Sequence, residues 1–352
     1  MCSIWSRLPM ELLREIILCL GSTSTRVACR LRLVSRIFNV WVLPLLFRTV
    51  TFTTPDDVTR FAATLLPKRK VHIPAMKSTL HTFPRPLSSY AINSLAFVVH
   101  TRLPSVEIGL ASVAPAFTQV KNLVVTAQNL SSNAHWIRHH PIRPWYMMVI
   151  HFGFPHLFNY REPIFESVTH MYTSVLTGLR DTSVADLPRL THLAVHTRGG
   201  ISGTAAWGVA NQIAKTLGAL PRLERFVLVL GDPPADVPQL EEWKEILGSC
   251  MHDKRFSLLP YFRDLRQEWQ DIVEGRENLW DRADTWCSLE NETSPRKLCY
   301  LAALVNGQYP VPPVLQKKPR EPEWEIDLVQ RVDYSPYEGD PAEKGDFADL
   351  LV

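Results

Sequence analysis

The sequence predicts an α/β protein: a short N-terminal helical module, then an irregular array of strands and helices that ends in helices. Three observations predict this. Apolar residues in the first 47 positions recur at helical spacing. From Arg48 onward, short β-branched runs alternate with helical patterns. Several of those runs share one apolar spacing, the signature of a repeated strand–helix unit.

The first helix starts near Pro9, which suits the first helical position because its missing N–H costs nothing there. Glu11 and Glu15 follow, favoured by the helix dipole. Leu12, Leu13, Ile16, Ile17 and Leu20 form a broad apolar arc, and Gly21 reads as the stop. Ser22 to Thr25 offers caps for a second helix, whose apolar face is Val27, Leu31, Val34, Phe38 and Trp41. Val40 to Phe47 continues the apolar content, with Pro44 expected to break or kink it. Some fifty residues make a marginal core alone, and this module carries more apolar surface than so small a bundle needs.

Arg48 to Thr53 alternates and reads as a strand. Thr54, Pro55 and Asp57 then supply a cap, a helix-compatible proline and an acid three residues on, before a helix carrying Val58, Phe61, Ala62 and Leu65. Further strands are expected at Ser94 to His100 and near Trp145 to Phe152. The motif apolar-x-x-apolar-x-x-apolar recurs at Phe117/Val120/Leu123, Phe165/Val168/Met171, Leu187/Leu190/Leu193 and Leu220/Leu223/Phe226. Leu190, Leu193, Leu223 and Phe226 should be buried, with Thr191, His192, Glu224 and Arg225 exposed between them. From Leu240 the pattern turns helical, apart from a strand at Arg255 to Leu259. Trp269, Trp280 and Trp286 suggest a layer closing the end of the array. Residues 307–352 form a proline-punctuated tail; from Arg320 on it holds ten acids and three bases and reads as largely disordered.

Three resemblances sharpen this. Leu8, Pro9, Glu11, Leu12, Leu13 and Ile16, then Val34, Arg36 and Phe38, then Leu46, Phe47 and Arg48 together resemble an F-box. Three positions depart from that pattern: Ser35 stands where a cysteine is usual, and Phe38 and Phe47 replace tryptophans. Both aromatic exchanges keep a flat apolar ring and lose an N–H donor. The repeated strand motif resembles a leucine-rich repeat, although its anchors Val120, Val168, Leu190 and Leu223 are irregularly spaced. The stretch from Leu259 to Ala283, with Glu268-Trp269 and Leu279-Trp280, is similar to the C-terminal portion of fungal F-box-like proteins.

These resemblances imply an F-box-like module over 1–47, a leucine-rich-repeat-like α/β solenoid over 48–306 with a helical cap from about 240, and a tail over 307–352. They imply docking onto a Skp-family adaptor, and through it a cullin, by Leu8, Pro9, Leu12, Leu13, Ile16, Val34, Phe38, Leu46 and Phe47. The array would hold a target protein, placing the chain in a ubiquitin ligase as a connector, with no enzymatic activity of its own. An alternative is an interaction scaffold whose first helices only cap the array. The first 50 residues hold seven arginines and two glutamates, and a basic module suits an acidic partner.

Composition sets the bounds. The apolar fraction is 46% and the charged fraction 21%, as in folded proteins. A net charge of +3 gives no warrant for nucleic-acid binding. Six cysteines without a CxxC fit a reducing compartment, cytoplasmic or nuclear. The N-terminus lacks the pattern of a secretory signal, and no apolar run is long enough to span a membrane. Asn129-Leu-Ser131 matches a glycosylation acceptor, by chance if no signal precedes it. Phosphate-loop, dinucleotide and nucleophile-elbow motifs are absent. His135 and His139 share helical spacing but lack an acid to complete a metal site. No cofactor is expected.

Overall fold

Two serines divide the first forty residues into helices. In the computed structural model, α1 (Met10–Thr23) is followed by α2 (Thr25–Val34) and α3 (Arg36–Phe47). Residues 8–66, 92–99, 104–150, 159–173, 186–198, 203–231, 237–259 and 265–290 are described, and they hold eleven helices and eight strands. The chain separates into two compact units, Met1–Pro310 and Val311–Val352. The expected acidic tail lies outside the described residues.

Ser24 Oγ accepts from Val27 N at 3.2 Å and caps α2, as the serine–threonine run predicts. Ser35 does the same for α3, accepting from Phe38 N at 3.1 Å. Its extended backbone corrects the sequence expectation of one apolar face running from Val27 to Trp41: the chain turns at Ser35. Two further expectations are corrected. α1 continues through Gly21, which is buried; a Cβ there would lie 3.0 Å from Leu45 Cδ1. The glycine therefore admits close approach of α3 and does not stop the helix. Pro44 sits inside α3 and does not break it: the helix runs on to Phe47.

β1 (Thr49–Phe52) begins at once, and α4 (Pro55–Leu65) follows with the expected capping box between Thr54 and Asp57. The remaining strands are β2 (Ser94–Phe97), β3 (Asn122–Thr126), β4 (Tyr146–Ile150), β5 (His170–Thr173), β6 (His192–Arg198), β7 (Arg225–Gly231) and β8 (Phe256–Leu259). Between them lie α5 (Pro104–Val113), α6 (Ala127–Ser132), α7 (Ala134–His139), α8 (Thr204–Ala219) and α9 (Val237–Leu247). α10 (Leu265–Glu274) and α11 (Leu279–Glu290) close the described part. All eight strands form one parallel sheet in sequence order, each paired with the next.

Register is uniform from β1 to β7. The carbonyls of Arg48, Asn93, Lys121, Trp145, Thr169 and Thr191 each accept two successive N–H groups from the start of the next strand. One row across the sheet is wholly apolar: Val50, Leu95, Leu123, Met147, Met171, Leu193, Phe226 and Phe256. All eight are buried. Strand pleating sends this row to one face, where helices cover it. Phe52, on the same face, meets Phe61 of α4 at 5.2 Å and Phe117 at 6.3 Å. The repeated sequence motif is legible in this core: Phe117, Val120, Phe165, Val168, Leu187, Leu190, Leu220 and Leu223 are all buried.

Asn129 carries a second kind of rung. It is buried, and its Nδ2 donates to the carbonyls of Phe97 and Val99 at 3.3 and 2.9 Å. Asn133 Nδ2 donates to Asn129 O, and Trp136 Nε1 donates to Asn133 Oδ1. The Asn129 amide thus serves carbonyls at and just past the end of β2.

The opposite face carries a polar and aromatic row: Thr49, Ser94, Asn122, Tyr146, His170, His192 and Arg225. Here α10 and α11 lie against the sheet. Trp280 of α11 contacts the rings of His170 and His192, and Asp284 pairs with Arg225. The three C-terminal tryptophans are buried, but Trp280 reaches β5 and β6 in the middle of the sheet, so the pair of helices covers a face as well as an end. His192, Thr191 and Arg225 are half-buried in consequence, which corrects their expected exposure; Glu224 is exposed as expected. The two helices are locked by Glu268 and Arg282, at 0% and 3% exposure, with Nη2 to Oε2 at 2.6 Å. Leu279 N also donates to Glu268.

Two substitutions test this account. Asn129→Ala removes the buried amide that donates to the Phe97 and Val99 carbonyls and should destabilise the chain by about 2 kcal/mol, read as a lower midpoint in urea denaturation. Glu268→Ala strands a buried guanidinium and should cost about 3–5 kcal/mol, while the paired change Glu268→Met with Arg282→Met should recover most of that loss.

Candidate docking site on the N-terminal helices

Helices α1 to α3 enclose a small core of Ile17, Ala28 and Val42, edged by Leu13, Leu31, Phe38, Trp41 and Leu46. Phe38 and Trp41 stack at 5.7 Å between ring centroids. The helical period decides which leucines this core takes. Leu13 and Ile17, four apart, face inward. Leu12, Ile16 and Leu20, also four apart, lie on the adjoining stripe and are exposed. Met10, Leu33, Val34, Ile37 and Val40 are exposed too, Leu33 at 82% and Val34 at 67%. Eight of the twelve large apolar side chains exposed among the described residues thus lie between Met10 and Val40. Such concentration departs from the ordinary case of single scattered apolar residues.

The sequence-predicted docking residues divide into three groups. Pro9, Leu12, Ile16 and Val34 are exposed, with Leu8 half-buried beside them. Leu13, Phe38 and Leu46 are half-buried against the module's own core. Phe47 turns the other way: it packs on the core of the sheet, its ring 6.2 Å from that of Phe61. Leu20, Leu33, Ile37 and Val40 belong to the exposed set and were not singled out as docking residues. Their signal was available in the width of the apolar arc, which exceeds what one small core can bury.

Charge follows the same division. Arg14, Arg26, Arg30, Arg32, Arg36 and Arg48 are exposed, and none makes an ion pair among the described residues. Several arginines elsewhere are paired with carboxylates, as in Arg138–Glu162, Arg161–Asp186 and Arg255–Asp253. An apolar surface fringed by unpaired guanidinium groups is complementary to an acidic partner with an apolar groove.

Other clusters have less chemistry to offer. A groove of about 410 Å³ is lined by Pro104, Glu107, Ile108, Ala111, Ser112 and His135. Its one hydroxyl, on Ser112, is committed to the Ile108 carbonyl at 2.7 Å. His135 and His139 share α7 and are exposed, and no group of three metal-ligating side chains occurs among the described residues. Asn129, a formal glycosylation acceptor, is buried and hydrogen-bonded. No described helix is long and apolar enough to cross a membrane.

No protein-family model matches this chain, and neither does any curated protein or solved structure, so the functional argument rests on the geometry of these helices.

Proposed function

We propose that the chain is an F-box-type adaptor: α1 to α3 dock on a Skp-family subunit of a cullin ubiquitin ligase, and the α/β domain holds a target protein. The observation that carries this reading is the exposed apolar surface of Leu12, Ile16, Leu33, Val34 and Ile37 with its unpaired arginines. The mechanism is proximity. Binding raises the effective concentration of a target lysine near the charged ubiquitin carrier, and the chain supplies no acid or base.

The domain that would hold the target reads as a degenerate leucine-rich-repeat array. Its support is the spacing of in-register strand starts. Asn122, Tyr146, His170 and His192 follow one another at 24, 24 and 22 residues, inside the range such repeats keep. The 48-residue gap between the Val120 and Val168 anchors is thereby divided by β4.

A second reading has its own observation. Phe47 packs on Phe61, and α3 leads directly into β1, so the first helices also serve as a cap on the sheet edge. The two readings separate experimentally. Phe38 is a poor probe, because Phe38→Ala also removes packing from the module's own core. Ile16→Asp and Val34→Asp touch only the exposed surface. In calorimetric titration of the full chain with a recombinant Skp-family subunit, the wild type should bind and each variant should lose at least about thirty-fold in affinity, roughly 2 kcal/mol. Thermal midpoints should stay nearly unchanged. A cap without a docking role predicts no binding by any of the three proteins.

A further inference from the structure

We propose that the stacked pair His170–His192 is an acid-sensitive latch, whose protonation releases the α10–α11 helices from the sheet before the sheet itself unfolds. The inference is independent of the adaptor reading. The two imidazoles sit in register on neighbouring strands, nearly parallel, with centroids 4.1 Å apart. Trp280 lies almost equidistant from them, at 5.6 and 5.4 Å and steeply inclined to both, so it closes the edge of the stack. Tyr146 flanks His170 on the other side at 6.4 Å.

Two threonines set the tautomers. Thr169 Oγ1 lies 3.2 Å from the Trp145 carbonyl and 2.9 Å from His170 Nδ1. Thr191 Oγ1 repeats this arrangement with the Thr169 carbonyl and His192 Nδ1. Each hydroxyl spends its proton on a carbonyl, so its oxygen accepts from Nδ1–H. The neutral rings then carry their lone pairs at Nε2, and acid adds protons there.

The surroundings resist those protons. Burial, and then the neighbouring His192, push His170 down to about 4. Burial also lowers His192, with Arg225 of β7 acting in the same direction, while Glu224 and Asp284 of α11 oppose it. Asp284 is already engaged with Arg225. The buried Glu268 of α10 and Arg282 of α11 form a neutral pair, and Tyr146 and Tyr172 beside them hold their protons through burial. Two imidazolium rings at this separation repel each other, and the carboxylates of Glu224 and Asp284 favour the charge on His192 alone.

The sign follows. A histidine whose folded pKa is depressed adds stability in full above about 6.5, the ordinary value. That stability is lost as pH falls through the window from about 6.5 to about 4. The strands are held by backbone hydrogen bonds, which do not titrate in this window. α11 meets the sheet through the histidine stack, the Arg225–Asp284 pair and the buried side chains of Leu279, Ala283 and Trp286; the stack is the contact that protonation alters directly, so this attachment weakens before the strand pairing.

Hydrogen exchange of the full chain, measured by mass spectrometry between pH 7.5 and 4 and corrected for the intrinsic pH dependence of exchange, tests the latch. Peptides covering 265–290 should lose protection as pH falls from 6 to 4, while peptides covering β6 and β7 keep theirs. The double variant His170→Gln with His192→Gln should hold the 265–290 protection at pH 4.5, exchanging at least about tenfold more slowly than wild type. The proposal is overturned if the helices and strands lose protection together, if wild-type helices stay protected to pH 4, or if the double variant opens at the wild-type pH. Should the double variant fail to fold at pH 7.5, an NMR titration of the wild-type histidines decides. Two imidazoles titrating below pH 6 in step with helix opening support the latch, and ordinary midpoints near 6.5 overturn it.

Discussion

One carbonyl before each strand, receiving two N–H groups from the next, is the constraint on which the sheet depends. It recurs at Arg48, Asn93, Lys121, Trp145, Thr169 and Thr191, and it fixes where every strand from β2 to β7 begins. Side chains alternate faces with a period of two, so a slip of one residue would turn the apolar row Leu95–Leu123–Met147–Met171–Leu193 to the wrong face. The paired N–H groups make such a slip cost hydrogen bonds as well as burial. At the last junction the pattern changes: Phe226 donates to Arg255 instead, and the repeated rung ends there.

With register fixed, the two faces acquire different chemistry from neighbouring sequence positions. The apolar row is covered by helices and forms the core. Several groups of the adjacent row meet one another along the sheet: Asn122 donates to Ser94, Tyr146 and His170 stack, and Arg225 donates to Ser257, while the buried Tyr146 hydroxyl has no hydrogen-bond partner among the described residues. Partners of this kind reduce the cost of half-burying a polar row. On the side nearer β7, α11 supplies them, with Trp280 and Asp284. The neutral form of the two histidines is therefore a condition of how the last helices lie on the sheet.

Much of this was legible in the sequence and some was not, for physical reasons. Strand positions followed from apolar spacing, because a residue such as Leu190 or Leu223 is buried wherever its unit sits in the array. The Thr54–Asp57 cap was legible because capping is local. Gly21 misled because a glycine that ends a helix and one that admits a neighbour look alike until Leu45 is seen beside it. Ser35 was hidden for the opposite reason, since the helical period runs on across it while the cap interrupts the chain. Exposure of His192 could not be read from its own strand, as it depends on Trp280, 88 residues away. On the N-terminal helices the apolar arc holding Leu12 and Ile16 was legible, while the orientation of Phe47 required knowing that Phe61 lies across from it.

That orientation bears on how the N-terminal helices are joined to the rest. Arg48 N donates to Leu45 O at the end of α3, and Arg48 O accepts the first pair of N–H groups from the β2 side of the sheet. One residue therefore belongs both to the last turn of the helices and to the first rung of the sheet. Phe47 beside it is half-buried and packs on the sheet's core and not on the helices' own. A flexible linker would let the exposed apolar surface and the α/β domain wander relative to each other, and effective concentration would fall as the reach widened. A junction of a single shared residue with an aromatic anchor holds them at a set spacing instead. The same junction means that the helices cannot be removed at Phe47 without uncovering Phe61.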